Sequence, residues 1–312
     1  GRIVTRTAVL LMGPTASGKT GHAISLSKRF PFDVISVDSA LVYRGMDIGT
    51  AKPDPETLRR VPHRLVDILD PEDSYSAGDF VRDAQREMHD IFAAGRIPLL
   101  VGGTMLYFRA LTEGIAELPP ADAAVRREID ALAAASGWPA VHAELAAVDR
   151  VAAQRINPND GQRLQRALEV YRISGRNLTD WQEQGGPPSH DIQFLKIGLQ
   201  IEPRSLLHAR IAERLDLMVA DGFVDEVRRL RGRPGLDGDS TAMRSVGYRQ
   251  FWQHLDGEMD LEEARQRALF ATRQLAKRQL TWLRSEKSLV SVNSLEAGII
   301  DSISKILARH LA

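Results

Sequence analysis

Short apolar runs alternate with longer amphipathic segments in the first third of the chain. The apolar runs at residues 6–12, 34–37 and 97–101 predict buried strands. Between the second and third runs, Ser76 stands three residues before Asp79, which indicates a capping box at the start of a helix. Short buried strands that alternate with helices predict an α/β fold, with a parallel sheet covered by helices on both faces.

The pattern changes after Leu118, where only helical periodicity is found until strand character returns at residues 194–201. Loop-forming residues interrupt this helical stretch at 157–159 and 185–188. We therefore predict an α/β core made of residues 1–117 and 192–312, with an inserted all-helical domain at residues 118–191. The length of 312 residues fits one large domain that carries a smaller one.

Outside the insert, the remaining patterns predict further elements of the core. Residues 64–69 are predicted to form a strand or an extended segment. Helical periodicity predicts three long helices, at residues 204–220, 243–255 and 261–287. An apolar run predicts a last strand at residues 289–292.

A glycine-rich segment follows the first predicted strand and leads into a helix. It fits the pattern G-x-x-x-x-G-K-[ST], in which backbone N–H groups and the helix N-terminus face phosphate oxygens. The lysine can reach a terminal phosphate, and the last hydroxyl can ligate Mg²⁺. The segment therefore predicts a site for a diphosphate or polyphosphate with magnesium, a P-loop formed by Gly13, Pro14, Thr15, Ala16, Ser17, Gly18, Lys19 and Thr20.

The acid that a P-loop NTPase carries after a second apolar strand is missing here, because residues 97–101 run into Gly102, Gly103 and Thr104. Asp38 instead follows the strand at residues 34–37. Ligands of open α/β sheets bind at the carboxyl ends of strands. Asp38 is thus either a metal ligand or a base that faces a second substrate, and a turn or helix-cap role is the purely structural alternative.

Composition narrows the possible functions. The chain has no cysteine, which excludes disulfides, a thiolate nucleophile and a cysteine zinc site, and makes a reducing cytoplasm the expected location. No apolar run approaches the ~18 residues of a membrane span, so we expect no membrane partner. The opening segment GRIVTRTAVLLMG predicts a buried strand rather than a signal peptide, because its short apolar run leads directly into the glycine-rich loop.

The charges balance, with 41 basic and 41 acidic residues, which argues against a protein that binds nucleic acid through bulk charge. Basic residues are nevertheless concentrated in two helical segments. Residues 162–176 hold four arginines and one acid, and residues 265–284 hold six basic residues and no acid. Such segments are either solvated helix faces or sites of RNA phosphate contacts.

Six segments together resemble the bacterial tRNA dimethylallyltransferases, also called tRNA isopentenyltransferases. The similarity extends over nearly the whole chain in the order of that family, and the segment after Asp38 and the stretch ATRQLAKRQLTW are specific to it. The segments are GPTASGKT, VISVDSALVYRGMDIGTAKP, LLVGGTMLYF, NPNDGQRLQRALEVYRISG, VGYRQFW and ATRQLAKRQLTWLR.

The resemblance implies a P-loop NTPase-like core with an inserted helical domain, a channel through the protein and dependence on Mg²⁺. The implied partners are dimethylallyl diphosphate and the anticodon stem-loop of tRNA, with no obligate protein partner. The implied reaction transfers the dimethylallyl group to the N6 amine of the adenine on the 3′ side of the anticodon, in tRNAs that read codons beginning with U, and releases diphosphate. That adenine must be flipped out to reach a buried allylic carbon.

This chemistry needs stabilisation of the leaving diphosphate and a base for the amine proton. The resemblance implies Asp38 as the base, with Lys19 and Thr104 as further catalytic residues and Arg214 as a diphosphate contact. A helix-cap role for Thr104 and a solvated helix face for Arg214 are the structural alternatives. The implied tRNA contacts are Asp38, Ser39, Ala40, Leu41, Thr104, Arg126, Gln162, Arg163, Leu164, Gln165, Arg166, Met243, Arg244, Ser245, Val246, Gly247 and Tyr248.

Two other functions remain open from the sequence. A P-loop kinase would need ATP and would usually carry an arginine-rich lid and a second acid for magnesium, and neither is evident. A non-catalytic RNA-binding module would not need the combination of Lys19, Thr20 and Asp38.

Overall fold

The fold is given by a computed structural model that describes residues 6–114, 118–184 and 191–311. The described strands form one six-stranded sheet in the order β3-β2-β4-β1-β5-β6, and every neighbouring pair is parallel. The strands are β1 (Arg6–Met12), β2 (Phe32–Val37), β3 (His63–Arg64), β4 (Ile97–Gly102), β5 (Ile192–Gln200) and β6 (Leu289–Asn293).

The described residues also form α-helices throughout the chain and a 3₁₀ helix at Thr241–Arg244. The helices are α1 (Lys19–Ser27), α2 (Pro55–Arg60), α3 (Ala77–Ala93), α4 (Met105–Glu113), α5 (Ala123–Ser136), α6 (Trp138–Val148), α7 (Arg150–Arg155), α8 (Gly161–Ser174), α9 (Leu178–Gln184), α10 (Arg204–Ala220), α11 (Phe223–Arg231), α12 (Tyr248–Leu255), α13 (Leu261–Ser285) and α14 (Ile299–Leu311).

The α/β fold class predicted from the sequence is confirmed by the parallel sheet with its flanking helices. The strand predicted at residues 6–12 is β1 with the same bounds. The capping box is present, because the Ser76 side chain accepts from the Asp79 amide and the Asp79 side chain accepts from the Ser76 amide. The predicted loop at residues 185–188 lies outside the described residues.

Two element predictions are wrong, and backbone conformation explains both. The strand or extended segment predicted at residues 64–69 is not formed beyond Arg64, where the two-residue β3 ends, because Leu65 and Asp67 adopt positive φ angles of 65° and 56° that turn the chain out of the sheet. The single helix predicted at residues 243–255 is instead the end of the 3₁₀ helix followed by α12. Gly247, with φ of 87°, separates the two.

One apolar core covers a face of the sheet. Alternate residues of β1, Val9 and Leu11, pack in one cluster with Leu26 of α1 and with Ile303 and Leu307 of α14. Helix α3 packs against β2 and β4 from the other face. Because all strands are parallel, their carboxyl ends lie along one edge of the sheet, and this edge presents the loops after β1, β2 and β4 together.

A second apolar core lies among helices α10 to α13 and the segment that follows β2. The ring of Phe223 lies so close to the chain at Gly49 that a Cβ atom there would be 2.3 Å from it, so this contact requires glycine. One turn further along α11, Glu226 is 2% exposed. Its carboxylate accepts hydrogen bonds from the amides of Asp47 (2.9 Å), Ile48 (2.9 Å) and Gly49 (3.3 Å), and from the hydroxyl of Tyr248 (2.6 Å).

The buried carboxylate thus holds the turn at residues 47–49 against α11 and α12. A buried charge is stable in a protein only when hydrogen bonds satisfy it, and here donors from the turn and from Tyr248 satisfy both oxygens. Burial and the neighbouring Glu226 charge raise the pKa of the Tyr248 phenol. The phenol therefore stays protonated and remains a donor.

The chain divides into two compact units, Gly1–Arg109 with Ser189–Ala312, and Ala110–Pro188. In the second unit, helices α5 to α8 enclose an apolar cluster that contains Ile129, Val141, Leu145 and Leu164. Within the described residues of both units, the helices are too short or too polar for any of them to cross a membrane.

Glu169 of α8 is the buried ionic centre of the second unit. Its carboxylate accepts from Arg126 Nε (2.8 Å), from Arg166 Nη1 (2.8 Å) and from the amide of Asp122 (3.0 Å), and the residue is fully buried. Burial raises the pKa of Glu169, but the hydrogen bonds from Arg126, Arg166 and Asp122 outweigh it and hold the pKa at about 2.

The depressed pKa of Glu169 makes the stability of this unit depend on pH. The stabilisation is fully present above the unfolded pKa of 4.5 and is lost as the pH falls from there towards 2. By linkage it amounts to about 3 kcal/mol.

We expect Glu169→Gln to destabilise the helical unit at neutral pH and the difference from wild type to shrink between pH 4.5 and 2. Hydrogen exchange of the α8 amides measures this, with Glu144→Gln, a half-exposed ion pair, as the control. A difference that does not depend on pH would contradict the assignment.

A second prediction concerns the turn at residues 47–49. Glu226→Gln keeps the side-chain shape but replaces one acceptor oxygen with an N–H₂ group, which leaves at least one buried amide without a partner. The cost of such a loss is ~1–3 kcal/mol, so exchange of the amides at 47–49 should accelerate about tenfold or more. The control is Asp225→Asn, since Asp225 is the exposed neighbour on the same helix. Unchanged protection in the Gln variant would show that packing of Phe223 alone holds the turn.

Candidate active site

A cavity of about 790 Å³ opens at the carboxyl edge of the sheet, within the unit that contains β1 to β6. Its wall includes most of the P-loop after β1, the residues after β2, the residues after β4 and the segment before α12. The structure therefore brings together in one cavity Thr15, Ala16, Ser17, Gly18, Lys19, Thr20, Asp38, Ser39, Ala40, Leu41, Thr104, Arg214, Arg244, Ser245, Val246, Gly247 and Tyr248.

The remaining predicted residues of these segments lie behind the wall. Gly13 and Pro14 are buried at the start of the P-loop. Met243 is fully buried in the apolar core among α10 to α13, so its side chain lies beneath the cavity and supports the segment rather than forming its surface.

The P-loop backbone has the conformation that a phosphate cradle needs. Ala16 and Gly18 have φ angles of 62° and 79°, and this alternation of left- and right-handed residues turns successive N–H groups towards one side. Helix α1 begins at Lys19 without a side-chain cap hydrogen bond at its N-cap, Gly18. Its first N–H groups and its positive dipole end are therefore available to an anion.

Three side chains from distant parts of the chain fix this loop. Gln279 of α13 accepts from the Thr15 amide (3.0 Å) and donates to the carbonyl of Gly103 (2.9 Å). Arg210 of α10 donates to the carbonyl of Ala16 (3.0 Å). Ser294, which follows β6, donates to the carbonyl of Ser17 and contacts His22 through its Oγ atom.

Two adjacent glycines allow β4 to approach the loop. A Cβ atom at Gly102 would lie 1.9 Å from the carbonyl oxygen of Val37, and one at Gly103 would lie 2.8 Å from that of Gly13. Any side chain at either position would push apart the backbones that carry Asp38 and the P-loop. At the position where a P-loop NTPase carries an acid, this chain has Gly102 and Gly103, which allow close contact between neighbouring backbones.

The positive charge of the cavity is concentrated beside the P-loop. The Lys19 ammonium donates to the carbonyl of Pro14 (3.2 Å). Burial and the nearby Arg214 lower the pKa of Lys19 to about 8, whereas Asp38 acts to raise it. Burial also lowers the pKa of Arg214, which Asp38 raises and Arg210 lowers further. Buried cations that repel one another are stabilised when an anion binds between them.

Asp38 occupies a tight turn directly after β2. Its Oδ1 atom accepts from the amides of Ala40 (2.7 Å) and Leu41 (3.1 Å). Its Oδ2 atom has no hydrogen-bond partner among the described residues. The turn role that the sequence left open is therefore real, and it fixes the carboxylate while one oxygen stays available in the cavity.

Thr104 lies directly before α4 and faces the segment after Asp38. Its hydroxyl oxygen accepts from the amide of Ser39 (3.0 Å). The hydroxyl hydrogen is then free to be donated to a group in the cavity, because a hydroxyl both donates and accepts. The same hydrogen bond ties the loop after β2 to the end of β4.

The oxygen ligands that the cavity offers to a metal are few. The hydroxyl of Thr20 and the carboxylates of Asp38 and Glu213 line it. Among the described residues no group of three or more histidine, cysteine or acidic side chains could hold a metal ion. This sparse set suits Mg²⁺, which keeps several waters and binds through one or two protein oxygens together with substrate phosphates.

The other predicted RNA contacts lie in the helical unit, on α5 and α8. Gln162 and Arg163 are exposed at the start of α8, whereas Leu164 is buried in the apolar cluster of that unit. Gln165 donates to Asp130 (2.5 Å). Arg126 and Arg166 both form ion pairs with Glu169, and their side chains remain partly exposed, 43% and 30% respectively.

Sequence reasoning missed the residues that position the site, namely Arg210, Glu226, Gln279 and Ser294. Arg210 stood in the R-x-x-x-R pattern with Arg214, which is the one signal that pointed to it. Gln279 lay in the family-specific stretch ATRQLAKRQLTW, where only the basic residues drew attention. The partners of all four are distant in sequence, so no local pattern reveals their roles.

Comparison with known protein families identifies which family models and relatives this chain matches. A model described as IPP transferase matches residues 41–286, and a model described as Isopentenyl transferase matches residues 6–67. Curated relatives named tRNA dimethylallyltransferase include one from Thiobacillus denitrificans, 54% identical over 97% of this chain and 97% of the relative. Another, from Alkalilimnicola ehrlichii, is 56% identical over 92% of this chain and 90% of the relative.

Solved structures are similar over the same extent. One is described as the full-length tRNA isopentenylpyrophosphate transferase from Bacillus halodurans, with 37% identity, a TM-score of 0.71 and coverage of 97% of this chain and 96% of that one. Another, from Staphylococcus epidermidis, gives 31% identity, a TM-score of 0.69 and coverage of 97% and 99%. With a family model that spans most of its length and relatives above half identity, the chain belongs to the IPP transferase family.

Proposed function

We propose that this IPP transferase is a tRNA dimethylallyltransferase. It transfers the dimethylallyl group of dimethylallyl diphosphate to the N6 amine of the adenine on the 3′ side of the anticodon, in tRNAs that read codons beginning with U. The observation that carries the proposal is that one cavity is lined both by the P-loop and by the Asp38 carboxylate, which a tight turn fixes through one of its two oxygens.

In this proposal the P-loop holds the leaving group. The amides of Ala16, Gly18, Lys19 and Thr20, the Lys19 ammonium and the Arg214 guanidinium surround the diphosphate and stabilise the charge that grows as the carbon–oxygen bond breaks. Preorganised donors of this kind are worth several kcal/mol each in the transition state, about 10²–10³-fold in rate. Binding of the diphosphate also relieves the repulsion between Lys19 and Arg214.

Magnesium is proposed as the cofactor, held by the hydroxyl of Thr20 and by diphosphate oxygens. When bound, it supplies further positive charge at the leaving group. The chain's own contribution is to orient the diphosphate on the P-loop, whose shape Gln279, Arg210 and Ser294 maintain.

The proposed base is Asp38. The N6 lone pair attacks the allylic carbon, the new nitrogen–carbon bond forms as the carbon–oxygen bond breaks, and diphosphate leaves with the bonding electrons. The amine proton passes to Oδ2 of Asp38, while Oδ1 remains bound to the amides of Ala40 and Leu41. Thr104 donates its hydroxyl hydrogen to the adenine or to the departing diphosphate.

The remaining proposed contacts bind the RNA. Residues 38–41 and 244–248 line the cavity and are proposed to meet the flipped adenine and its neighbours. The helical insert, predicted at residues 118–191, is proposed to grip the anticodon stem-loop through Gln162, Arg163, Gln165, Arg166 and Arg126. We further propose that the reaction takes place in the cytoplasm.

The direct test is the mass of a substrate tRNA after incubation with the protein, dimethylallyl diphosphate and Mg²⁺. The expected product carries one dimethylallyl group in place of one proton on the target adenine. Lys19→Ala should lose about 10²-fold or more in turnover. Transfer of a phosphoryl group from ATP to the RNA, without any alkylation, would show that the P-loop serves a kinase instead.

A third prediction separates a base from a metal ligand at Asp38. Asn can accept the two amide hydrogen bonds of the turn, so Asp38→Asn should keep the loop and bind both substrates. Turnover should fall by ~10²–10⁴-fold, because the amide cannot take the amine proton. The measurement is turnover against Mg²⁺ concentration, with tRNA affinity determined in parallel. Rescue by excess magnesium to nearly wild-type turnover would assign Asp38 to the metal.

A fourth prediction concerns α8. Arg163 is 76% exposed and only loosely paired with Asp160 at 3.5 Å, so Arg163→Ala changes charge without disturbing the core. We expect weaker tRNA binding and a salt dependence reduced by about one released counterion, with unchanged affinity for dimethylallyl diphosphate. Arg60→Ala on α2, which is equally exposed, is the control. Identical salt slopes for the two variants would leave Arg163 as a solvated residue.

A further inference from the structure

A second, smaller cavity of about 350 Å³ lies between α10 and α13. It is formed by the face of α13 that carries Phe270, Arg273 and Lys277, and by Arg204 and His208 of α10. The reaction cavity is lined by other positions of the same helix, including Thr272 and Gln279. The two cavities thus use different faces of α13, and neither the reaction nor the tRNA contacts proposed above use the second one.

The lining of this cavity is positively charged. Arg204, Arg273 and Lys277 line it, and no acidic residue does. In the described part of the chain these three side chains form no ion pair. Two basic residues in the first turns of α13 do form ion pairs, Arg265 with Asp216 and Arg267 with Glu263.

One donor in this cavity lacks a partner. The Nε atom of Arg273 is buried and has no hydrogen-bond partner among the described residues. A buried donor left unsatisfied costs ~1–3 kcal/mol, more for a charged group. Three cations in one concave site also repel each other, and a bound anion removes both costs at once.

An aromatic ring stands beside these charges. Phe270 is 65% exposed, an unusual position for a phenyl ring on an otherwise charged helix face. Leu207, Ala276 and Leu280 supply the apolar part of the cavity wall. An exposed ring beside basic side chains is the arrangement by which proteins stack a nucleobase and hold its phosphate, and each stacked base is worth ~1–3 kcal/mol.

We propose that this second cavity binds a nucleotide, with its phosphate at Arg273 and Lys277 and its base against Phe270. Its volume lies at the lower end of the ~300–1,000 Å³ range of ligand sites, which suits one nucleotide rather than a larger ligand. The nucleotide is either free or part of a bound RNA, since both present the same phosphate and base. The proposal does not depend on the reaction carried out in the first cavity.

The test uses the full chain with Lys19→Ala as the background, so that anion binding in the reaction cavity is weakened throughout. On this background we compare three variants. The first is the double variant Arg273→Gln/Lys277→Gln, the second is Phe270→Ala, and the third is Arg267→Gln, which is the control on the same helix. Calorimetry with ADP and with pyrophosphate reports the free ligand. Binding of an anticodon stem-loop RNA at several salt concentrations reports the RNA-borne one.

We expect the double variant and Phe270→Ala each to weaken ADP or RNA binding about tenfold, while Arg267→Gln leaves it within twofold. Loss confined to ADP identifies a free nucleotide. Loss confined to the RNA, with a salt slope lowered by about two counterions in the double variant, identifies an RNA nucleotide. Unchanged binding of both probes would overturn the proposal. So would equal losses for pyrophosphate and ADP with no effect of Phe270→Ala, which would indicate a plain anion site.

Discussion

The conformation of the P-loop is the constraint on which the rest of the core depends. A row of backbone N–H groups that faces a cavity is not a stable arrangement by itself, so the loop must be held from outside. Gln279, Arg210 and Ser294 hydrogen-bond to three successive residues of it, Thr15, Ala16 and Ser17. They come from α13, α10 and the end of β6, so the shape of the N-terminal loop depends on contacts with the C-terminal half of the chain.

The same elements that hold the loop also bring the reacting groups together. Parallel strands place the ends of β1, β2 and β4 at one edge, and the contact of Gly102 with Val37 sets how closely they approach. Thr104 and Gln279 then cross-link the loops after these strands. Because both residues bond to backbone atoms, the positions of Asp38 and of the cradle are fixed before any substrate binds, which is the preorganisation that electrostatic catalysis requires.

The sequence predicted correctly those features that a short, contiguous pattern of residues determines. The P-loop is a contiguous motif, the capping box of α3 spans four residues, and β1 is one apolar run, so each was predicted with its residues. Helix α11 was not predicted as an element, although it carries Glu226. The turn that Glu226 binds is distant in sequence, and neither partner shows an unusual local pattern. The break at Gly247 was missed because a helical period continues on both sides of it.

The positive charge of the reaction cavity lies beside the P-loop, on Lys19 and Arg214. Many exposed arginines in the described part of the chain pair with an acid, as Arg228 does with Asp225 and Arg267 does with Glu263. Within the described residues Lys19 and Arg214 form no ion pair; burial lowers the pKa of both, and the charge of Arg214 lowers the pKa of Lys19 further. In the function proposed above, a diphosphate that binds between these cations offsets their repulsion, so the repulsion contributes to the affinity for the leaving group. A carboxylate placed there in the usual manner of a P-loop NTPase would have neutralised the cations and weakened that binding. Gly102 and Gly103 leave no room for such a side chain, so the positive charge of Lys19 and Arg214 is not compensated from this strand.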